Sequence, residues 1–237
     1  MADLHIRCRI LALFICASLC STAGYAGELQ VGFAQLAITP EIVDQWVDVN
    51  DDAQFDPDID EWTDLNGNGV FDPVWIAGFQ KQRAAQGVKD DLMAVAVVID
   101  DGDRRIAIVA TDTIGLMRKF VLEVRGSVPS DWGIDYLMVH ATHNHEGPDT
   151  QGLWGPGFFT SGVDSDYMLS LQRAILTAVE SAIDNLEPAE LSIARIKTDP
   201  RTPIKDKRKP IIIDEDIRAL LFRRPDQSVI GTVVNFG

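Results

Sequence analysis

Cysteine is almost missing from this 237-residue chain, and its scarcity excludes two classes of chemistry. The three cysteines lie at positions 8, 16 and 20, and none follows. The rest of the chain therefore has neither a disulfide framework nor a thiol nucleophile. The sequence G-x-S-x-G is absent as well, so nothing predicts the nucleophile elbow of a serine hydrolase.

Long apolar runs and an excess of basic residues are also missing. The apolar stretch that begins at Ile10 is too short for a good transmembrane helix. Arg7 and Arg9 precede it, and Gly24-Tyr25-Ala26 places small residues at the positions before a cleavage site. We therefore predict a signal peptide over residues 1–26 and a secreted or periplasmic protein without an integral membrane span. The net charge of −15 argues against nucleic-acid binding, which needs clustered basic residues.

Histidine is scarce, yet three of the four histidines lie within six residues, at His140, His143 and His145. Imidazole is a common zinc ligand, and it titrates near neutral pH. The three histidines follow an apolar segment, 134–139, that is typical of a β-strand. In an extended segment, His143 and His145 share one face at a backbone distance of about 6.5–7 Å, so their rings could converge on one ion. His140 would point away unless the chain turns. The residues alone leave open which of the three bind a metal.

An acidic segment at 48–73 contains two copies of one pattern with an offset of sixteen residues. Asp, Asn, Phe, Asp and Pro recur at matching positions, and the second copy, D-x-N-x-N-G-x-x-D, follows the start of a calcium-binding loop. We predict a structural calcium ion, and the expected ligands are Asp64, Asn66, Asn68, the carbonyl of Val70 and Asp72. The first copy offers Asp48, Asn50, Asp52 and Asp56 in the corresponding places. Trp75 replaces the EF-hand glutamate, and an acidic surface turn is the alternative interpretation.

The periodicity of apolar residues predicts one mixed α/β domain over 27–237, with largely antiparallel sheets covered by helices. Strands are predicted at 29–38, 92–99, 105–110, 134–139, 191–196 and 211–213, helices at 114–124 and 166–186, and a final hairpin at 218–236. Asp112 is expected to cap the first helix. In the loop 152–159, Trp154, Phe158 and Phe159 are predicted to wall an apolar substrate pocket. The alternative is that these aromatic side chains fold into the core.

The segment Ala141–Pro148 resembles the A-T-H-T-H-S-G-P stretch of the neutral/alkaline, non-lysosomal ceramidase family. Val31-Gly32-Phe33 and Ile38-Thr39-Pro40 are similar to that family's V-G-x-G…D-I-T-G-P opening, and Val109–Asp112 resembles its V-S-x-D strand. The resemblance covers roughly residues 28–237. It implies the fold of the N-terminal part of a ceramidase catalytic domain.

The resemblance further implies a zinc-dependent hydrolase of linear amides, with lipid amides of sphingolipid metabolism as the substrate class. His143 would bind one zinc ion, and His145 would be catalytic. Asn144 and Glu146 replace Thr and Ser of the family motif, so the rim of the site differs. The family's other zinc ligands lie beyond the last residue of this sequence. We therefore expect an incomplete enzyme that is inactive alone and needs its C-terminal portion.

A non-enzymatic function is the alternative: an exported, calcium-stabilised binding domain in which the histidines are incidental. A metallo-β-lactamase site is disfavoured, because Gly147 and Pro148 occupy the Asp and His positions of T-H-x-H-x-D-H.

Overall fold

The computed structural model describes residues 28–197, 206 and 208–236, so the predicted signal peptide and all three cysteines lie outside it. Its elements follow in chain order: β1 (Gln30–Ala37), β2 (Gln45–Val47), β3 (Glu61–Thr63), β4 (Met93–Asp100), β5 (Arg105–Thr111), α1 (Arg118–Gly126), β6 (Tyr136–Ala141), α2 (Ser165–Asp184), β7 (Glu187–Pro188), β8 (Glu190–Lys197), β9 (Asp216–Arg223) and β10 (Val229–Phe236). The predicted mixed α/β class with largely antiparallel sheets is confirmed.

The central sheet has five strands in the order β6-β5-β4-β1-β7. All neighbours are antiparallel except β5 and β6. The strands predicted at 92–99 and 105–110 are confirmed as β4 and β5, which form a hairpin, and its turn is held by Asp100, whose carboxylate accepts the N–H of Gly102 at 2.8 Å. Because β5 and β6 run parallel, their C-terminal ends lie side by side, and the histidine loop leaves the sheet at that edge.

Helix α2 covers one face of this sheet. Asp164 caps it by accepting the N–H groups of Asp166 and Tyr167. Its buried stripe is Tyr167, Leu171, Ile175, Ala178, Val179 and Ala182. The helix lies so close to β1 that a Cβ atom on Gly32 would stand 1.9 Å from the carbonyl oxygen of Ala182. Gly32 therefore permits the approach of helix and sheet.

The second sheet, in the order β10-β9-β8, packs on the opposite face of the first. Phe222 of β9 is fully buried against Val31 and Val97. β9 and β10 pair antiparallel, which confirms the hairpin predicted at the end of the chain. The outer face of this sheet exposes apolar side chains, including Ile196, Val234 and Phe236.

Two sequence-based assignments are wrong. The predicted strand at 211–213 is absent, and Ile211 and Ile212 are 64% and 77% exposed because no neighbouring strand pairs with them. The first helix begins at Arg118 rather than near residue 114, and Asp112 does not cap it. Asp112 instead accepts the N–H of Met93 and the hydroxyl of Thr142, so it ties β4 to the histidine loop.

Candidate functional site

The histidine loop begins where β6 ends, and the chain turns at His143, whose φ is +65°. This left-handed conformation is uncommon for a residue other than glycine. The Nδ1 atom of His143 lies 2.7 Å from the carbonyl oxygen of Ile114. A carbonyl only accepts, so Nδ1 carries the proton and the neutral ring presents an unprotonated Nε2. Such a carbonyl contact commonly orients a metal-binding histidine.

The ring of His145 meets that of His143, with 3.3 Å between the two Nε2 atoms. Two nitrogens bound to one tetrahedral zinc ion at about 2.0–2.1 Å are about 3.3 Å apart. In the neutral pair without a metal, the Nε2–H of His145 donates to Nε2 of His143. His140 lies within β6, and its ring forms no hydrogen bond within the part of the chain that the structure describes.

The residues that hold His145 come from a distant segment of the sequence. Gly78 has a φ of +86°, and a Cβ atom there would stand 2.5 Å from Nδ1 of His145. The ring of Phe79 packs edge-on against His145, at a centroid distance of 5.1 Å. The segment 77–79 is itself joined to the histidine loop, since the N–H of Ala77 donates to the carbonyl of Gly147 at 2.9 Å.

Arg83 ties the histidine loop to the same segment, and the sequence analysis missed it. Its guanidinium donates to the carbonyl of His145 at 3.2 Å and to both oxygens of Glu146 at 3.1 and 3.0 Å. It also lies over the ring of Phe79. The side chain of Arg83 is only 13% exposed. Arg83 stands between glutamine and alanine and belongs to no motif, so the sequence alone does not indicate this role.

A cleft of about 590 Å³ opens beside the histidine loop. Thr142, Asn144 and Glu146 line it, and the rings of His143 and His145 do not. Its other walls are largely apolar, with Ile42, Val74, Ile76, Val88, Leu92 and Pro148 among them. Every second residue of the histidine loop thus faces the cleft, and the paired rings of His143 and His145 lie outside it.

The two acidic copies adopt the same backbone conformation. Gly67 and Gly69 have φ values of +74° and +79°, and the residues sixteen positions earlier, Asp51 and Ala53, have +58° and +60°. The hydrogen bonds from backbone N–H groups to side chains within each copy also repeat with the offset of sixteen residues. We call residues 48–56 and 64–72 the first and second acidic loops.

Asp64 organises the second acidic loop. Its carboxylate accepts the N–H groups of Gly67, Asn68 and Gly69 at 2.6 to 3.2 Å. These backbone donors, that of Gly69 above all, lower the pKa of Asp64, and desolvation opposes them. In the first acidic loop, Asp48 accepts the N–H groups of Asp52 and Ala53 in the same way.

Two further aspartates join the loops to one another. Asp60 accepts the N–H groups of Val49 and Asp56, both in the first acidic loop, at 2.9 and 2.7 Å. Sixteen residues earlier, Asp44 accepts those of Leu65 and Asp72 in the second, at 3.1 and 2.8 Å. The duplicated unit thus begins at 44 and 60 rather than at 48 and 64. The recurring Asp-x-Trp before each copy was the sequence signal for it.

Aromatic residues of the duplicated unit form its core. Trp46 of β2 pairs with Trp62 of β3 across a two-stranded sheet, and both positions are related by the sixteen-residue offset. Phe55 and Phe71, related in the same way, stack with their ring centroids 4.1 Å apart. The unit therefore has an approximate twofold arrangement in which each half completes the other.

The predicted calcium ligands are brought together in part. The side-chain amides of Asn66 and Asn68 converge on one oxygen of Asp72, at 3.0 and 2.5 Å. In the residues described (28–197, 206 and 208–236), no group of three or more His, Cys, Asp or Glu side chains gathers into a metal cage. The histidine pair accordingly lies outside any complete metal site among these described residues.

The aromatic residues of the loop 152–159 do not line the cleft. Phe158 and Phe159 are 79% and 96% exposed and contact each other at a centroid distance of 4.9 Å. Trp154 is half-buried, and its backbone N–H donates to the carboxylate of Asp149 at 2.9 Å. The structure therefore places this predicted substrate-contacting group at the surface. It lies next to the segment that carries Phe79 and Arg83.

The chain has the fold of two solved structures, a ceramidase complexed with C2 and the neutral ceramidase from Pseudomonas aeruginosa. Each superposes with a TM-score of 0.61 at 18% sequence identity, over 87% of this chain. The match covers 30% and 31% of those two chains. No family model matches the sequence, and no curated protein matches it significantly. The likeness inferred from the histidine motif is thus confirmed at the level of fold.

Proposed function

We propose that this chain forms the N-terminal part of an exported, zinc-dependent hydrolase of amide bonds, with lipid amides as its substrate class. The main observation in support is that the Nε2 atoms of His143 and His145 lie 3.3 Å apart and that the backbone carbonyl of Ile114 orients the ring of His143. The fold shared with two ceramidase structures supports the reaction class. It does not favour the alternative of a non-enzymatic binding domain.

His143 fits the role of zinc ligand, because its Nδ1–H donates to the Ile114 carbonyl and its Nε2 therefore keeps a lone pair for a metal. When bound, zinc would polarise the amide carbonyl and lower the pKa of a nucleophile. His145 is the proposed catalytic residue. Its Nε2 can hold a proton and deliver it to the leaving amine, since imidazole titrates near neutral pH. Phe79 and Arg83 keep this ring in place.

The remaining zinc ligands are proposed to lie in a further C-terminal portion of the same enzyme. The small share of the two ceramidase structures that the chain covers supports this. So does the exposed apolar face of the second sheet, because an area of this kind is commonly covered by a further layer. On this proposal the chain alone binds zinc weakly and hydrolyses no amide.

We also propose that the acidic loops bind calcium as a structural ion. Calcium prefers six to eight oxygen ligands, about the number that carboxylates, amides and carbonyls of such a loop provide. The convergence of Asn66, Asn68 and Asp72 supports the second acidic loop as the site. Calcium measured by mass spectrometry should fall in Asp64→Ala and stay unchanged in Asp103→Ala, an exposed aspartate of the β4–β5 turn. An equal calcium content in both variants contradicts the assignment.

Export rests on the leader sequence over 1–26, which predicts a secreted or periplasmic location. Neither α-helix of the described residues has the length and apolar content required to cross a bilayer.

Zinc binding by the full chain tests the proposed function, with titration calorimetry as the measurement. We expect weak binding that His143→Ala abolishes. His140→Ala is the matched control, because that histidine lies within β6 and outside the pair. Equal affinity in the wild type and His143→Ala would contradict the assignment of the ligand. Tight stoichiometric zinc together with amide hydrolysis by the chain alone would contradict its incompleteness.

A further inference from the structure

The turn Gly157–Thr160 projects two phenylalanines from the surface, and its construction is rigid. The ends of the turn are joined by an isolated β-bridge, with Phe158 and Phe159 between them. These two side chains are 79% and 96% exposed. We call residues 153–160 the aromatic tip. Adjacent exposed aromatic side chains of this kind are typical of an interaction surface.

The base of the aromatic tip is held by buried polar groups. The carboxylate of Asp149, which is 1% exposed, accepts the N–H groups of Gln151, Gly152, Trp154 and Gly162. A Cβ atom on Gly155 would stand 2.3 Å from the carbonyl oxygen of Thr160, so the two limbs of the loop touch. The tip therefore presents its phenylalanines on a preorganised frame, which lowers the entropic cost of binding.

A cation lies directly beneath the phenylalanines. The ammonium of Lys81 donates to the carbonyls of Leu153, Gly157 and Phe158 at 2.7, 3.5 and 3.5 Å. It also lies 5.5 Å from the centroid of the Phe158 ring. Aromatic rings above a basic residue are the arrangement of side chains that enter a membrane interface, where rings reach the acyl boundary and the cation stays among headgroups.

The charges around the aromatic tip indicate which kind of surface it can bind. No charged residue occurs between Asp149 and Asp164, although 24% of the chain is charged. The tip thus adds no charged side chain of its own to the ammonium of Lys81 beneath it, and it offers little pattern of charge to specify a protein partner, whereas a fluid lipid surface requires only apolar area. The net charge of −15 would repel an anionic membrane. A zwitterionic surface fits both observations.

We propose that the aromatic tip inserts Phe158 and Phe159 into zwitterionic lipid surfaces and docks the protein there. The segment 79–83 connects the tip to the histidine pair, because Lys81 contacts the tip while Arg83 contacts the histidine loop. Docking therefore brings the candidate site next to the lipid phase. This inference goes beyond the proposed function, and binding to lipid requires no hydrolysis.

The test is co-flotation of the chain over residues 27–237 with vesicles of pure phosphatidylcholine. The double variant Phe158→Ser/Phe159→Ser should partition at least about tenfold less strongly into the vesicles, because it lacks the two aromatic side chains that would make most of the apolar contact with lipid. The control is Ile211→Ser/Ile212→Ser, another adjacent pair of exposed apolar residues, which should partition as the wild type does. All three proteins are compared without the predicted signal peptide 1–26, because its apolar stretch would itself partition into lipid and mask the difference.

Three results would overturn the proposal. The tip variant could bind vesicles as strongly as the wild type, or the wild type could bind only vesicles that contain anionic lipid. The tip could instead hold two copies of the chain together, in which case the variant changes the oligomeric state in light scattering while vesicle binding stays the same. No amide is present in the assay, so a chain without hydrolase activity can still confirm docking. Failure of the proposed function is thereby distinguished from failure of this inference.

Discussion

Asp44 and Asp60 each hold the acidic loop that follows the other. Asp60 accepts two backbone N–H groups of the first acidic loop, and Asp44 accepts the two equivalent groups of the second. They are 1% and 6% exposed. In each copy, these two backbone donors are thus satisfied by the aspartate of the other copy. The duplicated unit must therefore fold as one body, whatever ions its loops bind.

Because each aspartate accepts hydrogen bonds from the other copy, we predict that Asp44→Ala and Asp60→Ala each reduce the free energy of unfolding by about 2–4 kcal/mol, since two backbone N–H groups lose a buried, charged acceptor. Urea unfolding measures the loss. Asp58→Ala is the matched control, because Asp58 is exposed between the two acidic loops, and it should change stability by less than about 0.5 kcal/mol. Equal effects of all three substitutions would show that the exchange is unimportant.

The contact of α2 with β1 predicts a severe effect of Gly32→Ala. The added Cβ would stand 1.9 Å from the Ala182 carbonyl, and neither backbone can move without disturbing the core. We expect a loss of about 3 kcal/mol or more in the free energy of unfolding, or failure to fold. Gly87→Ala, where a Cβ meets nothing within 4 Å, should be close to neutral. A stable Gly32→Ala protein with wild-type unfolding would contradict the close approach.

Arg83 is predicted to position the ring of His145. Arg83→Met keeps an apolar side chain but removes the donors to the His145 carbonyl and to Glu146. We expect a loss of about 1–3 kcal/mol in the free energy of unfolding, because a partly buried carbonyl is left without its donor. The ring signals of His145 should also shift in NMR spectra. Arg104→Met, which breaks an exposed ion pair with Asp135, should leave those signals unchanged, and an equal shift in both variants would refute the positioning role.

The second acidic loop should keep its order at unusually low pH. Backbone donation lowers the folded-state pKa of Asp64. The stability that Asp64 contributes is therefore fully present above its unfolded pKa and is lost as the pH falls through the lower, folded pKa. The amide signals of Gly67 and Gly69 report this transition in an NMR acid titration. In Asp64→Asn the transition should vanish, and a midpoint at the ordinary pKa of aspartate would contradict the prediction.

Most of the secondary structure could be predicted from the sequence, because it depends on local patterns. The stripe from Tyr167 to Ala182 repeats at helical spacing, and Asp164 precedes it as a cap. The apolar runs of β4 and β5 flank a turn that contains Gly102. Where the local pattern was only a short apolar run, at 211–213, the prediction failed, since a strand also needs a neighbour with free hydrogen-bonding groups.

The sequence by itself determined which chemistry is available: two imidazoles in one loop, oxygen-rich copies sixteen residues apart, and no thiol beyond residue 20. Only the tertiary structure decided how these groups meet. Gly78 and Arg83 are more than sixty residues from His145, and Asp44 supports a loop whose last residue is 28 positions away. Such contacts follow from the packing of segments that the sequence keeps apart. No local pattern encodes them, because each depends on the path of the whole chain.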